Sequence, residues 1–248
     1  MISLLFAQIQ LTSLFYLAPA STAQARIWLD ERIRFHPDKP LIAIYNMPFL
    51  FRLHPHQTLS ITQLHHALQL IVIKHLALRT SLIFDKHNNQ LIQRVHSLNN
   101  EQIFTFTQTG FDTDEQLTHI MHEEKSNAHL FDLGQGLVFR CHLLRHKETF
   151  NNDRLNDQDA IIFNFHHAQF DFPSMDIFLH DLHRAYTTGQ LTADDHTTLR
   201  YLDCKCAHFS HVFFHRTYSF FSADVCRCHD RTTNVDDCCK YVLDGHSA

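Results

Sequence analysis

An α/β (α+β) sandwich, one mixed sheet covered by helices, is the fold class that this sequence predicts. Three observations lead to it. Two capping boxes, Ser21-Thr22-Ala23-Gln24 and Ser60-Ile61-Thr62-Gln63, each open a helical pattern. Short apolar runs bounded by turn residues read as strands at 41–53, 79–85, 90–96, 103–107, 137–144 and 160–165. The two kinds of segment interleave along the chain, which suits a sheet with helices laid on it.

Each element has its own signal. Residues 1–20 are apolar but carry no positive residue before Arg26, and the small-residue site Ala18-Pro19-Ala20 runs straight into the first cap. They read as a lead-in segment packing on the domain rather than a secretory signal. The first helix runs from Ser21 to about Phe35, and a strand follows at 41–53. The second helix places Leu64, Leu68, Ile71 and His75 on one face. The strands at 79–85 and 90–96 are joined through the turn-rich Lys86-His87-Asn88-Asn89. A short strand, Ile103 to Thr107, precedes a charged helix at 113–129. The strand from Leu137 to Leu144 is followed by a polar loop, Lys147 to Gln158, and then by the apolar strand at 160–165. Ser174 opens a last helix with Met175, Phe178, Leu179 and Leu182 on one face.

Composition excludes several classes. At 248 residues and 44% hydrophobic, the chain can bury one good core. A net charge of −5 with no stripe of Lys or Arg gives no footprint for nucleic acid. No run is long enough and free enough of polar residues to span a membrane. The 22 Phe are read as core and the 23 His as mostly scattered surface residues. Residues 1–203 hold one cysteine, Cys141, which suits a reducing, cytoplasmic compartment.

The segment Ile161-Ile-Phe-Asn-Phe-His-His-Ala-Gln-Phe-Asp-Phe-Pro-Ser174 carries the chemistry. A buried-strand pattern delivers His166 and His167 at its end, and Asp171 follows. Acyl transfer needs a base or hydrogen-bond partner held in one orientation, with a carboxylate to hold the surrounding loop. In so His-rich a chain a chance HHxxxD is expected about 0.2 times, so the motif needs support. Three other segments supply it, in order. Ser21-Thr-Ala-Gln-Ala-Arg-Ile-Trp28 resembles the S-x-A-Q-x-R-L-W opening of the condensation domains of nonribosomal peptide synthetases. Lys74-His-Leu-Ala-Leu-Arg-Thr-Ser81 is similar to their R-H-x-x-L-R-T, with Lys for the first Arg. Phe131-Asp-Leu-Gly-Gln-Gly-Leu-Val-Phe-Arg140 resembles F-D-L-x-x-G-P-L-x-R, with Leu137 where Pro is common, and residues 166–174 resemble H-H-x-x-x-D-G-x-S.

The resemblance implies a chloramphenicol-acetyltransferase-like fold, of which residues 21–203 form the N-terminal half. In that family two halves make a V with the active site in the tunnel between them. Two substrates, each a thioester on the phosphopantetheine of a peptidyl carrier protein, are joined as an amide. The protein would bind no cofactor or metal directly; phosphopantetheine arrives on the partner carriers. His167 matches the active-site histidine, which would position the acceptor amine, take its proton or hydrogen-bond the tetrahedral intermediate. His166 would be structural. Asp171 would orient the loop, with Arg79 as a candidate partner, and Ser174 supports the loop at the helix start. One departure stands out: the family's Gly after the Asp is Phe172 here, followed by Pro173, so the loop is built differently or the tunnel is narrowed. With one half missing, the chain is expected to be a truncated fragment, inactive alone. Two alternatives stay open, a non-catalytic remnant that docks a carrier, and a stand-alone coenzyme A-dependent acyltransferase working as an oligomer.

The tail, residues 204–248, changes character. It holds Cys204, Cys206, Cys226, Cys228, Cys238 and Cys239 in C-x-C and C-C pairs, with His229 beside one pair. Zinc would prefer C-x₂₋₄-C spacing, and a disulfide knot would need an oxidising compartment. The favoured reading is a tail out of frame with the domain and poorly ordered.

Overall fold

The computed structural model describes residues 17–34, 42–97, 104–147 and 153–191, together with the backbone of 240–243. Most of the tail therefore lies outside the described residues, along with the expectations for its cysteines.

Ten strands and four α-helices are described, besides a 3-10 turn at Leu76–Arg79: β1 (Leu17–Pro19), α1 (Thr22–Arg34), β2 (Asn46–Leu53), β3 (Leu59–Ser60), α2 (Ile61–Lys74), β4 (Thr80–Asp85), β5 (Gln90–Val95), β6 (Thr105–Phe111), α3 (Asp114–Ser126), β7 (Phe139–His146), β8 (Arg154–Leu155), β9 (Ala160–His166), α4 (Ser174–Thr188) and β10 (Lys240–Leu243). Both capping boxes start helices. Ser21 Oγ accepts from Gln24 N at 3.2 Å while Ser21 N donates to Gln24 Oε1 at 2.8 Å. Ser60 Oγ accepts from Gln63 N at 3.2 Å.

A five-stranded mixed sheet, ordered β10-β2-β9-β7-β6, carries the fold, with β9 in its middle. β9 is antiparallel to both neighbours, whereas β6 runs parallel to β7 and β10 parallel to β2. Every residue of β9 is buried, as expected of a strand covered on both faces. Alternation then sorts the side chains. Phe49, Phe51, Cys141, Leu143, Ile161, Phe163 and Phe165 face α2 and α4 in the larger core. Leu50, Leu144, Ala160 and Ile162 face Leu117 and Met121 of α3 in a second. A separate three-stranded sheet, β1-β5-β4, packs Leu82 and Leu91 against Ile27 of α1. Among the described residues no helix is long and apolar enough to cross a membrane.

Several strand boundaries shift from expectation, the strand expected at 137–144 being Phe139–His146. The strand expected at 41–53 begins at Asn46, because Ile42 bridges Asn127 and Ala43 N donates to Ser126 O at the end of α3, outside the sheet. The strand expected at 103–107 is Thr105–Phe111, an edge strand whose Thr and Gln residues do not alternate cleanly with apolar ones. Residues 240–243 add a strand on β2 from within the tail, a segment expected to be poorly ordered.

Under the second face lies a buried polar knot. The Glu124 carboxylate accepts from Arg140 Nε at 2.9 Å, His142 Nδ1 at 2.7 Å and Asn164 Nδ2 at 2.8 Å. The other ring nitrogen of His142, Nε2, is hydrogen-bonded with the Thr109 hydroxyl at 2.8 Å. Burial alone raises the Glu124 pKa, but the bonds from His142 and Asn164 and the charge of Arg140 outweigh it and hold the carboxyl below its usual range. Glu124→Ala leaves a largely buried guanidinium without its acceptor and is expected to cost about 3–5 kcal/mol. Urea unfolding checks this; a loss below about 1 kcal/mol, the level of a surface pair, would show the knot to be marginal.

A second ionic cluster joins α2 to α4. Asp181, 2% exposed, meets His75 Nε2 at 2.6 Å and Lys74 Nζ at 3.0 Å. Burial raises its pKa, but hydrogen bonds from His75 and Lys74 and their charges outweigh it and bring it to about 2. A folded-state pKa below the unfolded value means that the ionised form favours the fold. The contribution, about 2 kcal/mol, is full above pH ~4 and lost as pH falls toward ~2. Comparing wild type with Asp181→Asn by urea unfolding across that window should show their stability difference shrink as pH falls. A pH-independent difference would sink the linkage.

Candidate active site at the end of the central strand

β9 ends at His166 and the chain then turns. The ladder continues for one residue on each side, as His166 N donates to Val138 O and His167 N to Tyr45 O, both at 2.9 Å. Two adjacent residues in extended pairing point opposite ways. His166 is buried and His167 is exposed, so the second histidine faces open space at the end of the central strand.

The two rings hold different tautomers, and backbone groups of their own turn fix both. His166 Nδ1 accepts from Ala168 N at 3.2 Å, so the ring proton sits on Nε2, which donates to Glu31 Oε1 at 2.9 Å. His167 Nδ1 lies 3.0 Å from the carbonyl of Phe170. A carbonyl only accepts, so Nδ1 carries the proton and Nε2 presents its lone pair. His166 is further enclosed by Phe131, edge-on at 5.8 Å, and by Tyr45 at 6.4 Å.

The four sequence motifs converge here. Gln24 of the first donates Nε2 to Gln169 Oε1 of the histidine loop at 3.2 Å, and Gln169 Nε2 donates to Thr80 O of the second at 3.1 Å. Leu82 N donates to Leu133 O of the third at 2.8 Å. Gly136 of the third, at φ 74°, leaves no room for a side chain: a Cβ there would lie 2.9 Å from His96 Cδ2. Beside His166 opens a cleft of about 490 Å³, lined by Trp28, Glu31, Leu82, Phe131, Asp132 and His166 among others, but not by His167. Nothing in the spacing of the sequence marked Glu31, Asp30 or Tyr45 as part of this site.

Arg79 and Asp171 are not brought together. Arg79 is 7% exposed and donates to Val72 O and His96 O, holding the turn before β4. Asp171 is exposed, and its Oδ1 accepts from both the backbone N (3.1 Å) and the hydroxyl of Ser174. The carboxylate thus caps the start of α4 from the residue before Phe172. The structure therefore does not bring Arg79, the candidate partner, to Asp171, whose carboxylate takes a backbone hydrogen bond instead. Asp171→Ala is expected to cost about 1 kcal/mol, the usual value of a cap, by thermal or urea unfolding. A loss of about 3 kcal/mol or more would mean a buried partner instead.

Phe172 replaces glycine without a left-handed backbone, since among the described non-glycine residues only His56 and Asn89 have positive φ. Its ring is 49% exposed and lies 6.1 Å from Phe49. Pro173, at φ −60°, leads directly into α4.

Several known proteins are similar to part of this chain in sequence, and several solved structures are similar to it in fold. One chain of the linear gramicidin synthase of Brevibacillus parabrevis is 28% identical over 189 residues, 75% of this chain and 2% of that protein. Another chain of the same synthase is 31% identical over 170 residues, 68% of this chain and 3% of that one. A polyketide synthase-nonribosomal peptide synthetase of Aspergillus clavatus is 29% identical over 174 residues, 70% and 4% of the two chains. Among solved structures, the X-domain from teicoplanin biosynthesis superposes with a TM-score of 0.55 at 24% identity, over 75% of this chain and 36% of that one. The same X-domain in complex with OxyB gives 0.56 at 22% identity and the same coverage. The epimerization domain from the third module of tyrocidine synthetase B gives 0.52 at 16% identity, over 72% and 38%. These structural likenesses establish the fold, and the chain spans little more than a third of each of those two domains. The profile of the family described as Condensation domain matches residues 16–204, and the chain belongs to this family of nonribosomal peptide synthetase domains.

Proposed function

We propose that residues 21–203 are the histidine-bearing half of a condensing unit that joins two carrier-bound acyl groups through an amide bond. The observation that carries this reading is the exposed His167 with its Nδ1 proton committed to Phe170 O, leaving Nε2 as the lone-pair nitrogen. Each substrate would be tethered as a thioester to the phosphopantetheine of a peptidyl carrier protein, and no cofactor would be held by the chain itself. The acceptor amine attacks the donor carbonyl, a C–N bond forms, and the C–S bond breaks. The proton leaving the amine is received at Nε2 and can pass to the departing thiolate, so the histidine ends neutral. Nε2–H would also donate to the oxyanion of the tetrahedral intermediate. His166, held by Glu31, keeps the turn in shape, and Asp171 with Ser174 anchors its far end to α4.

The test joins this chain to the complementary half of a condensation domain and supplies donor and acceptor carriers charged with aminoacyl thioesters. Dipeptidyl thioester, detected by mass spectrometry and dependent on His167, supports the reading; none from a folded, carrier-binding protein sinks it. A second reading, a docking module without catalysis, draws on the fold relative solved in complex with OxyB. Under it the carriers bind and His167→Ala changes nothing.

A further inference from the structure

Two consecutive carboxylates on α1 reach the histidine turn, Glu31 through His166 and Asp30 through Tyr45. Glu31 Oε1 receives the Nε2 proton of His166 at 2.9 Å. Asp30 Oδ2 receives the hydroxyl proton of Tyr45 at 2.9 Å and is itself steadied by Arg34 Nε at 2.8 Å. Tyr45 is the residue whose carbonyl accepts the His167 N–H, and its ring lies 6.2 Å from the His167 ring at 33°. The main-chain anchor of His167 and the ring just before it are therefore both tied to one turn of α1.

We propose that Asp30 and Glu31 are positioning residues for His167, acting through Tyr45 and His166. With its Nε2 proton on Glu31, His166 must offer Nδ1 to Ala168 N, and that bond starts the turn which brings Phe170 O against His167 Nδ1. Remove the carboxylate and His166 is free to change tautomer or rotate. Ala168 N then loses its acceptor, the turn loosens, and the choice between Nδ1–H and Nε2–H on His167 is no longer forced. Release of the Tyr45 hydroxyl loosens the same turn through the Tyr45 carbonyl that holds His167 N. The proposal rests on the reading of His167 as the condensing histidine for its consequence, but not for its test.

The experiment labels the histidine rings of the full 248-residue chain with ¹⁵N and measures the His167 tautomer ratio by long-range ¹H–¹⁵N correlation in four variants. Glu31→Ala, Asp30→Ala and Tyr45→Phe are each expected to raise the Nε2–H share of His167 about fivefold, the effect of losing one hydrogen bond of ordinary strength. Glu31→Gln keeps an oxygen facing His166 and is expected to leave the ratio at its wild-type value. His142, clamped between Glu124 and Thr109, reports whether each variant is folded. If Glu31→Ala disturbs His142 as well, Tyr45→Phe decides, since it deletes one oxygen and leaves the ring. An unchanged His167 ratio in the folded variants overturns the proposal, even if His167 proves essential for condensation. Conversely, a shifted ratio stands even if the condensing reading fails.

Discussion

Residues 1–248 alone, given donor and acceptor carrier proteins charged with aminoacyl thioesters, are expected to yield no dipeptidyl thioester. Condensation of two tethered substrates depends on orientation, which is worth roughly 7–11 kcal/mol when both reactants are held in a near-attack geometry. The chain spans 36–38% of the X-domain and epimerization domain on which its fold superposes, and His167 stands exposed at a strand end. One wall can guide at most one pantetheine arm. A hydrogen bond from His167 to a developing oxyanion would be formed in water, where the high dielectric weakens it severalfold relative to a dry site. Mass spectrometry of the carrier-bound products decides the matter. Turnover by the isolated chain that disappears in His167→Ala would overturn the expectation and mean that copies of the chain complete the site for one another.

The second large effect is that of His167→Ala in the reconstituted domain. Condensation should fall by roughly 10²–10⁴-fold, the usual contribution of one positioned acid–base group, while thermal stability stays within about 0.5 kcal/mol, as for other exposed positions. The ring gives up a single hydrogen bond to Phe170 O and buries little surface. His166→Ala should behave in the opposite way. That ring is 3% exposed and holds Glu31 and Ala168 N, so its removal leaves buried partners unsatisfied at about 1–3 kcal/mol. A stable His166→Ala and an unstable His167→Ala would reverse the roles given to the pair.

What the sequence determined by itself was local or carried by short motifs. Both capping boxes start helices because their hydrogen bonds span three residues and need nothing from elsewhere in the chain. The run at 160–165 announced a strand covered on both faces because burial on both sides leaves no room for polar alternation; its one interior polar residue, Asn164, is satisfied by Glu124. Motif order identified the family and the two histidines. Tertiary structure alone decided who holds them. Glu31 lies 135 positions before His166 and Gln24 lies 145 before Gln169, separations at which spacing carries no information. The start of β2 was likewise settled by Ala43 and Ile42 pairing with the end of α3 instead of with a strand. For Asp171 the sequence offered a candidate partner, Arg79, that the structure does not bring to it. A carboxylate three residues before a helix's first free N–H can cap it or reach across the fold, and the burial of Arg79 left only the cap.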